Sequence, residues 1–350
     1  MSSLEIVGVA RRLIAAMLGL FALAALFVYL RPSAQVTDIP QRHEFKPDAF
    51  HREFSPSIPP VLHVTSGDTI HTTTIDAAGT DENNVSRAPA GNPVTGPFYV
   101  RNAMPGDTIA VHLKRLRLNR DWAVSGNMIS NRAITLDLVP RMNYRGEIVR
   151  WRLDRTQGVA SRENPTENLA RYTVPIRPML GCIALAPQAT GAVPDTGDVG
   201  VWGGNMDFNE IVEGTTVYLP VNVAGGFLYF GDAHAAQGDG ELSNNGLETS
   251  MDVEIGVTLL RNRHTSTPHI ESSTHIMVIG LGDSLDSALQ NATSAMLEWL
   301  MKQYKLTPPE VAQVLGTSAE YRVSLVVGKS SGIVLKINKD LLRGLSNAER

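Results

Sequence analysis

The segment EGTTVYLPV at 213–221 lies between two glycine-rich polar segments, GGNMD at 203–207 and GDAHAAQGDGE at 231–241. It begins with a Gly-containing turn and continues as a run of β-branched and aromatic residues, which is typical of a strand. The same pattern recurs at 66–70 and at 105–109. Many short strands that follow Gly turns are typical of a β-sandwich or β-barrel. The sequence therefore predicts a mostly β fold.

Composition excludes several classes of protein. The chain has 350 residues, of which 43% are hydrophobic and 19% charged, as in a globular protein with a substantial core. Its net charge of −4 and the absence of a basic stripe exclude nucleic acid as a partner. Cys182 is the only cysteine, so a disulfide framework and a Cys-based zinc site are both excluded. Its apolar neighbours predict a small buried residue rather than a nucleophile.

The N-terminus predicts export. Two arginines precede an unbroken apolar run at 13–30, and RPSAQ follows at 31–35. A positive flank, an apolar segment and small residues are typical of a secretory signal, and the run is also just long enough to span a bilayer. Residues 1–34 are therefore either a cleaved signal peptide or an N-terminal membrane anchor. In both cases the body of the protein is expected in the periplasm, with membrane contact only through this segment.

The rest of the chain divides into three parts. Residues 35–60 are polar and proline-rich and predict a linker, 61–265 predict a β-rich catalytic domain, and 266–345 predict a smaller C-terminal α+β unit packed on it. The expected elements of this unit are a strand at 276–279, an amphipathic helix at 283–305, a second helix opened by the capping box at 307–310, and a hairpin of 321–327 with 333–337. The apolar face of the first helix is predicted to consist of Leu285, Leu289, Ala292, Met296, Trp299 and Leu300.

The segment 231–241 has too few large apolar side chains to form a core, and it concentrates three carboxylates, an imidazole and an amide between Gly and Ala. Carboxylates and a neutral imidazole are ligands for a divalent cation. Asp207 and His234 are the leading candidates. Asp232, Asp239 and Glu241 are further candidates, and they cannot all bind one ion. These residues alone predict a metal-dependent hydrolase.

Taken together, GGNMD, EGTTVYLPV and GDAHAAQGDGE resemble the signature of the acetamidase/formamidase family, and PMLGCIALAP at 178–187 and MDVEIGVTL at 251–259 resemble its flanks. The resemblance extends from about residue 60 to about residue 338. It implies the family's β-sandwich or barrel-like fold, zinc at the active site, calcium at a structural position, and Asp76 as a third metal ligand. The chain departs from the family at Trp202, where members often have His, and more loosely over 119–171.

The resemblance also implies the reaction, which is hydrolysis of a short linear amide such as formamide or acetamide to a carboxylate and ammonia. The chain is thus expected to be a hydrolase of carbon–nitrogen bonds other than peptide bonds, with a small amide as its partner. Glu241 is the first candidate for the carboxylate that takes the proton of water and passes it to nitrogen, and Asp239 is the second. Asn205 and Gln237 are candidates for binding the oxyanion or the amide NH2.

Two other functions stay open at this point. The substitution at Trp202 favours an exported, non-catalytic β-sandwich that binds a metal or another ligand. A thiol-dependent amidase is the third reading, and it would require Cys182 as the nucleophile. The sequence leaves the oligomeric state open, with a homo-oligomer among the expectations.

Overall fold

A computed structural model describes residues 39–142, 144–189 and 191–345. The predicted signal peptide or anchor, residues 1–34, lies outside the described residues. Within them, no α-helix combines the length and the apolar character that crossing a bilayer requires.

The described residues form β-strands for the most part, together with three α-helices. The strands are β1 (Arg42–Glu44), β2 (Leu62–Val64), β3 (Thr69–Thr73), β4 (Val94–Val100), β5 (Thr108–Leu118), β6 (Trp122–Gly126), β7 (Ile148–Asp154), β8 (Val159–Arg162), β9 (Thr173–Pro175), β10 (Met179–Leu185), β11 (Val199–Gly200), β12 (Gly203–Asn205), β13 (Thr216–Pro220), β14 (Leu228–His234), β15 (Glu248–Thr249), β16 (Met251–Leu260), β17 (His269–Glu271), β18 (His275–Gly282), β19 (Glu320–Leu325) and β20 (Ser331–Asn338). The helices are α1 (Leu285–Tyr304), α2 (Pro308–Ser318) and α3 (Lys339–Leu342).

The strands form two sheets. The first sheet has the order β1-β3-β16-β5-β13-β17-β18-β20-β19. The second has the order β11-β12-β10-β14-β15-β6-β7-β8-β9, with β4 also paired to β14 and β2 paired to β4. Most neighbours are antiparallel, whereas β1 with β3 and β2 with β4 are parallel.

One hydrophobic cluster draws side chains from both sheets, so the sheets pack face to face over a shared core. In β5, Ile109, Val111 and Leu113 alternate along the strand and all belong to this cluster. From the second sheet, Ile183 and Phe230 are fully buried in it. The prediction of a mostly β fold with a helix-containing C-terminal part is confirmed.

The C-terminal elements follow the predicted order, and their strands extend the first sheet beyond β13. Ser284 caps α1, and its side chain accepts a hydrogen bond from the Ser287 N–H. The apolar face of the helix differs from the prediction, because Leu285 and Leu289 are 40% and 42% exposed. Ala292, Met296 and Leu300 lie as predicted on the buried face that packs on β18 and β20, and Ala288 completes that face. The division between 61–265 and 266–345 stays a prediction.

The segment predicted as a linker is attached to the sheets where the structure describes it. β1 pairs with β3 in parallel register, Arg42 opposite Thr69. His51 forms an isolated bridge with Val94, and Phe54 is fully buried. Glu53 forms a further bridge with Asp195, so the segment lies beside the loop that precedes β11.

Candidate active site

The second sheet places the two glycine-rich segments on either side of β10, because this strand pairs with both β12 and β14. Asp207 lies two residues beyond the end of β12, whereas Asp232 and His234 lie at the end of β14. Asp207 and Asp232 have φ angles of 42° and 54°, a left-handed conformation that is costly for a residue with a Cβ atom. Such conformations concentrate at functional sites, where the surrounding structure holds them in place.

A glycine in β10 lets the two aspartates approach each other. A Cβ atom at Gly181 would lie 2.5 Å from Asp207 Oδ1 and 2.7 Å from Asp232 Oδ2. Any larger residue would therefore overlap both carboxylates. The backbone carbonyl of Gly181 also accepts the N–H of Asp207 at 3.2 Å, which fixes the turn that carries this aspartate.

Gln237 fixes the orientation and the tautomer of His234. Its Nε2 donates to the Asp207 carbonyl at 2.6 Å, so its Oε1 faces His234 Nδ1 at 2.7 Å. An amide oxygen only accepts, so Nδ1 must carry a proton. In a neutral ring, Nε2 then presents its lone pair, which is the arrangement of a metal-binding histidine.

His234 Nε2 faces a group of buried carboxylates. Nε2 lies 3.1 Å from Glu248 Oε1 and 3.5 Å from Asp232 Oδ1, and neither contact has hydrogen-bond geometry. Candidate ligand atoms of Asp207, His234 and Glu241 lie within 4.8 Å of one another, and so do those of Asp232, His234 and Glu248. We call these five residues the acidic cluster.

Four atoms of the acidic cluster are buried and have no hydrogen-bond partner among the described residues: Asp207 Oδ1, Asp232 Oδ1, His234 Nε2 and Glu248 Oε2. Buried polar atoms are nearly always satisfied, and each unsatisfied one costs about 1–3 kcal/mol. Three carboxylate oxygens and one imidazole nitrogen form the donor set of a divalent cation such as zinc. The donor set therefore fits the metal that the family resemblance implies.

The electrostatics of the acidic cluster also call for a positive charge. Burial raises the pKa of Asp207 well above its usual value, and the negative charges of Glu241 and Asp232 raise it further. Burial likewise raises the pKa of Glu241 to about 8 and increases the pKa of Glu248. Burial lowers the pKa of His234, but Glu248 and Asp232 outweigh it and the net pKa is well above the usual value. Like charges in one buried site cannot all ionise without a compensating cation.

Asp76, predicted as a metal ligand, lies outside the acidic cluster. Its Oδ2 accepts from the Arg120 guanidinium at 2.7 Å, and its Oδ1 accepts from the Thr80 N–H at 2.8 Å. Both oxygens are thus occupied, one in a buried ion pair and the other in a hydrogen bond from the backbone. Arg120 in turn donates to the Glu248 carbonyl at 3.2 Å, so Asp76 supports the site through Arg120.

Asp239, the second candidate for the proton-transferring carboxylate, also has another partner. It accepts from Arg322 Nε and Nη2, both at 2.6 Å, and from Asn209 Nδ2 at 2.9 Å. The hydrogen bonds from Arg322 hold the pKa of Asp239 below its usual value. A carboxylate in this arrangement is a weak proton acceptor, and it anchors the turn that carries Glu241.

Asn205 and Gln237 lie beside the acidic cluster, but their amides bind protein groups. Asn205 Nδ2 donates to Asp207 Oδ2, and its Oδ1 accepts from Asn92 Nδ2 at 3.1 Å. Gln237 uses both ends of its amide on His234 and Asp207. The structure therefore gives both residues positioning contacts, in place of the oxyanion contacts that the sequence predicted.

Glu248 is the member of the acidic cluster that the sequence analysis missed. It lies in LETSM at 247–251, which contains no glycine and leads directly into the strand β16. Only the pairing of β14 with β15, which places Glu248 directly opposite His234, reveals it. The nearby Cys182 is buried as predicted, and burial raises the pKa of its thiol well above the usual value.

Comparisons with known proteins point to one family. The sequence model of the acetamidase/formamidase family matches residues 185–301. A formamidase-like protein of Schizosaccharomyces pombe is 25% identical over 268 residues, or 61% of this chain and 64% of that protein. The formamidase of Methylophilus methylotrophus is 30% identical over 148 residues, or 38% of this chain and 36% of the enzyme. The match thus covers less than two thirds of the length of each relative.

A solved structure agrees over a greater length. The crystal structure of an acetamidase from Yersinia enterocolitica is similar with a TM-score of 0.75 and 25% identity. The similarity covers 88% of this chain and 95% of that one. The fold is therefore shared along nearly the whole described chain, including the second sheet that carries the acidic cluster.

Proposed function

We propose that this chain is a member of the acetamidase/formamidase family, to which it is similar in sequence and in fold. On that premise we propose that it hydrolyses a short linear amide to a carboxylate and ammonia with the help of a divalent cation in the acidic cluster. The observation that carries the proposal is a set of four buried donor atoms without hydrogen-bond partners, from Asp207, Asp232, His234 and Glu248. These residues belong to two groups of candidate ligands that share His234.

Zinc is the cation that we propose, because an imidazole together with carboxylates suits it better than calcium or magnesium. Asp207, Asp232, His234 and Glu248 would hold it through the four unsatisfied atoms. When bound, it supplies the Lewis acidity that polarises an amide carbonyl or acidifies a water molecule.

Glu241 is the member of the acidic cluster best placed to move protons. It is 7% exposed, whereas Asp207 and His234 are fully buried, so of these three residues it is the one that water reaches. Its carboxylate takes a proton from the attacking water as the water oxygen bonds to the amide carbon. It then delivers that proton to the amide nitrogen, the carbon–nitrogen bond breaks, and ammonia leaves.

The remaining residues keep these groups in place. Gln237 holds His234 in the tautomer that presents Nε2, and Arg120 holds the strand that carries Glu248. Arg322 and Asn209 fix Asp239 and with it the turn of Glu241. Such supporting contacts are worth about 10–100-fold in metal affinity or activity in other metal sites.

Ammonia release by purified full-length protein tests the proposal, with formamide, acetamide and propionamide as substrates. We expect release that a chelator abolishes and zinc restores, and about one zinc per chain by elemental analysis. Asp207→Asn and His234→Gln should lose both the zinc and the activity. His112→Asn is the matched control, because His112 lies on β5 between Thr216 and Thr258, outside the acidic cluster.

The same experiment decides between catalysis and the alternative of a non-catalytic binding protein. A binding protein would take up zinc but release no ammonia from any of the three amides. A thiol-dependent amidase would lose activity in a Cys182→Ala variant, whereas the metal-dependent enzyme retains it.

Export is part of the proposal and rests on the sequence of residues 1–34. Fractionation of cells that express the full-length chain tests it. We expect the protein in the periplasm or on the periplasmic side of the inner membrane, and recovery of all of it from the cytoplasm would contradict export.

A further inference from the structure

One cavity of the molecule adjoins the acidic cluster. It has a volume of about 670 Å³ and lies between the segment at 50–58 and the loops around Gly91 and Asp195. A second cavity of about 570 Å³ lies between Trp202 and α1. Both volumes are in the usual range of pockets that surround small organic molecules. Of the two linings, that of the larger cavity includes a residue in contact with the acidic cluster.

Asn92 belongs to the lining of the larger cavity and also contacts the site. Its Nδ2 lies 3.1 Å from Asn205 Oδ1 and 3.4 Å from Asp232 Oδ2. Asn205 bonds to Asp207 and Asp232 is a member of the acidic cluster, so a single side chain separates the cavity from the donor atoms. None of the residues that line the second cavity is among the described partners of the acidic cluster.

The inner end of this cavity is already arranged around a carboxamide. The NH2 group of Asn92 meets two acceptors, an amide oxygen and a carboxylate oxygen. A primary amide substrate carries the same NH2 group. It could donate hydrogen bonds to the same two oxygens, either in place of the Asn92 side chain or beside it. The left-handed conformation of Asn92, with φ at 52°, directs the side chain to this position and is tolerated best by Asn and Gly.

The charges around the cavity favour a neutral ligand. Arg52, Glu53 and Asp195 give its lining both signs. The inner end lies against the buried carboxylate of Asp232 and, through Asn205, that of Asp207. An anionic amide would be repelled at the inner end, and the carboxylate product of hydrolysis would be driven out.

We propose that this cavity is the route by which neutral primary amides reach the acidic cluster, and that Asn92 contacts the substrate at its inner end and selects among acyl groups. The proposal rests on the proposed amidase function and adds the entrance and a specificity-determining residue. Arg52 is suited to test the route, because its Cδ and Nη1 atoms lie against Gly91, the neighbour of Asn92.

The first experiment labels the cavity with a removable group. Cys182 is the only native cysteine and is buried, so Arg52→Cys adds one accessible thiol to the full-length protein. A benzyl methanethiosulfonate should lower the amidase rate of this variant at least about tenfold, and dithiothreitol should restore it. The rate of each labelled variant is compared with the rate of the same variant before labelling. Any effect of the substitution itself on folding therefore cancels.

Ser294→Cys, in the lining of the second cavity, is the matched control, and its labelled rate should match its unlabelled rate. Equal rates of Arg52→Cys before and after complete labelling would overturn the route. If unmodified wild-type protein releases no ammonia from neutral amides when loaded with zinc, the proposed function fails. The two failures are therefore distinguishable.

The second experiment tests the role of Asn92 in selection. Asn92→Ala should raise KM for formamide and acetamide about tenfold and shift relative kcat/KM toward longer neutral amides, with zinc content unchanged. Asn84→Ala is the control, because Asn84 has a similar left-handed φ of 60° and is exposed. A purely structural role would instead lower kcat equally for all amides, and that result would overturn the assignment.

Discussion

Substitution of Gly246 by Ala should disable the site without removing any of its functional groups. Gly246 lies against the imidazole of His234, and its φ is outside the left-handed region, so the backbone itself accepts Ala. The added Cβ atom would lie 2.4 Å from His234 Nδ1 and 2.7 Å from Cγ. The three atoms nearest to the added methyl group all belong to this ring, so crowding of His234 is the main effect expected.

The size of the effect follows from these distances. Carbon and nitrogen atoms that are not bonded approach to about 3.5 Å, so the ring and the new methyl group must separate by about 1 Å. The backbone at 246 cannot yield easily, because the adjacent Leu247 exchanges two hydrogen bonds of 2.8 Å with Ala235 and Ala236. His234, which is fully buried, must therefore move. A displacement of about 1 Å costs about 100-fold in rate, or about 3 kcal/mol.

The assay compares Gly246→Ala with Gly238→Ala. A Cβ atom at Gly238 meets nothing within 4 Å, although Gly238 lies in the same glycine-rich segment as Glu241. We expect kcat/KM for acetamide to fall about 100-fold in the first variant and less than about twofold in the second, with weaker zinc binding in the first. Equal kcat/KM and zinc affinity in the two variants would refute this account of His234.

Three further outcomes are expected. Arg322→Ala should lower kcat about tenfold, because it frees Asp239 and the turn that carries Glu241, and a kinetic assay at saturating amide checks this. Asp76→Ala should lower the free energy of unfolding by about 3–5 kcal/mol, because it leaves Arg120 buried without its partner, while folded protein retains its zinc. For Asp68, burial raises the pKa, but hydrogen bonds from the Thr65 and Gln41 N–H groups and from His43 outweigh it and lower the pKa. Its ionised form therefore stabilises the fold above about pH 4. Asp68→Asn protein should melt at a lower temperature than wild-type protein at neutral pH. The difference between the two melting temperatures should vanish as the pH falls through the lowered pKa of Asp68.

Each of these outcomes has a control and a contradicting result. Lys329→Ala removes an exposed ion pair with Asp198 and should leave kcat unchanged, so an equal loss there would contradict a specific role for Arg322. Loss of zinc from folded Asp76→Ala protein would return Asp76 to the list of ligands. A melting difference for Asp68→Asn that persists at acidic pH would show that the charge of Asp68 is not what stabilises the fold.

Much of the fold could be predicted from local sequence. The alternation in β5 and the capping signals before α1 and α2 depend on neighbouring residues, and the structure has these elements. The apolar face of α1 was predicted incorrectly at Leu285 and Leu289. The helix packs through small residues near its start, because a Cβ atom at Gly280 would already overlap the backbone of Ala288 and Ala292. This close approach leaves no room for a leucine.

The site was predicted in part. Four members of the acidic cluster lie in glycine-rich segments that have too few large apolar side chains to form a core: Asp207, Asp232, His234 and Glu241. The structure places the other three beside His234. Asp76 and Asp239 carry the same local signal, but each pairs with a distant arginine, 44 and 83 residues away in the chain. No feature of the neighbouring sequence distinguishes an aspartate that faces a guanidinium from one that faces a metal.

The sequence by itself thus determined the strand pattern, the resemblance to one family and the two segments that carry the candidate ligands, because these depend on the residue types and on their spacing along the chain. The tertiary structure alone decided which carboxylates share one buried point. It added Glu248 through the pairing of β14 with β15, and it removed Asp76 and Asp239 through ion pairs with Arg120 and Arg322. The physical reason is that sheet register and charge pairing join residues far apart in sequence, and burial then determines which of them remain without a partner.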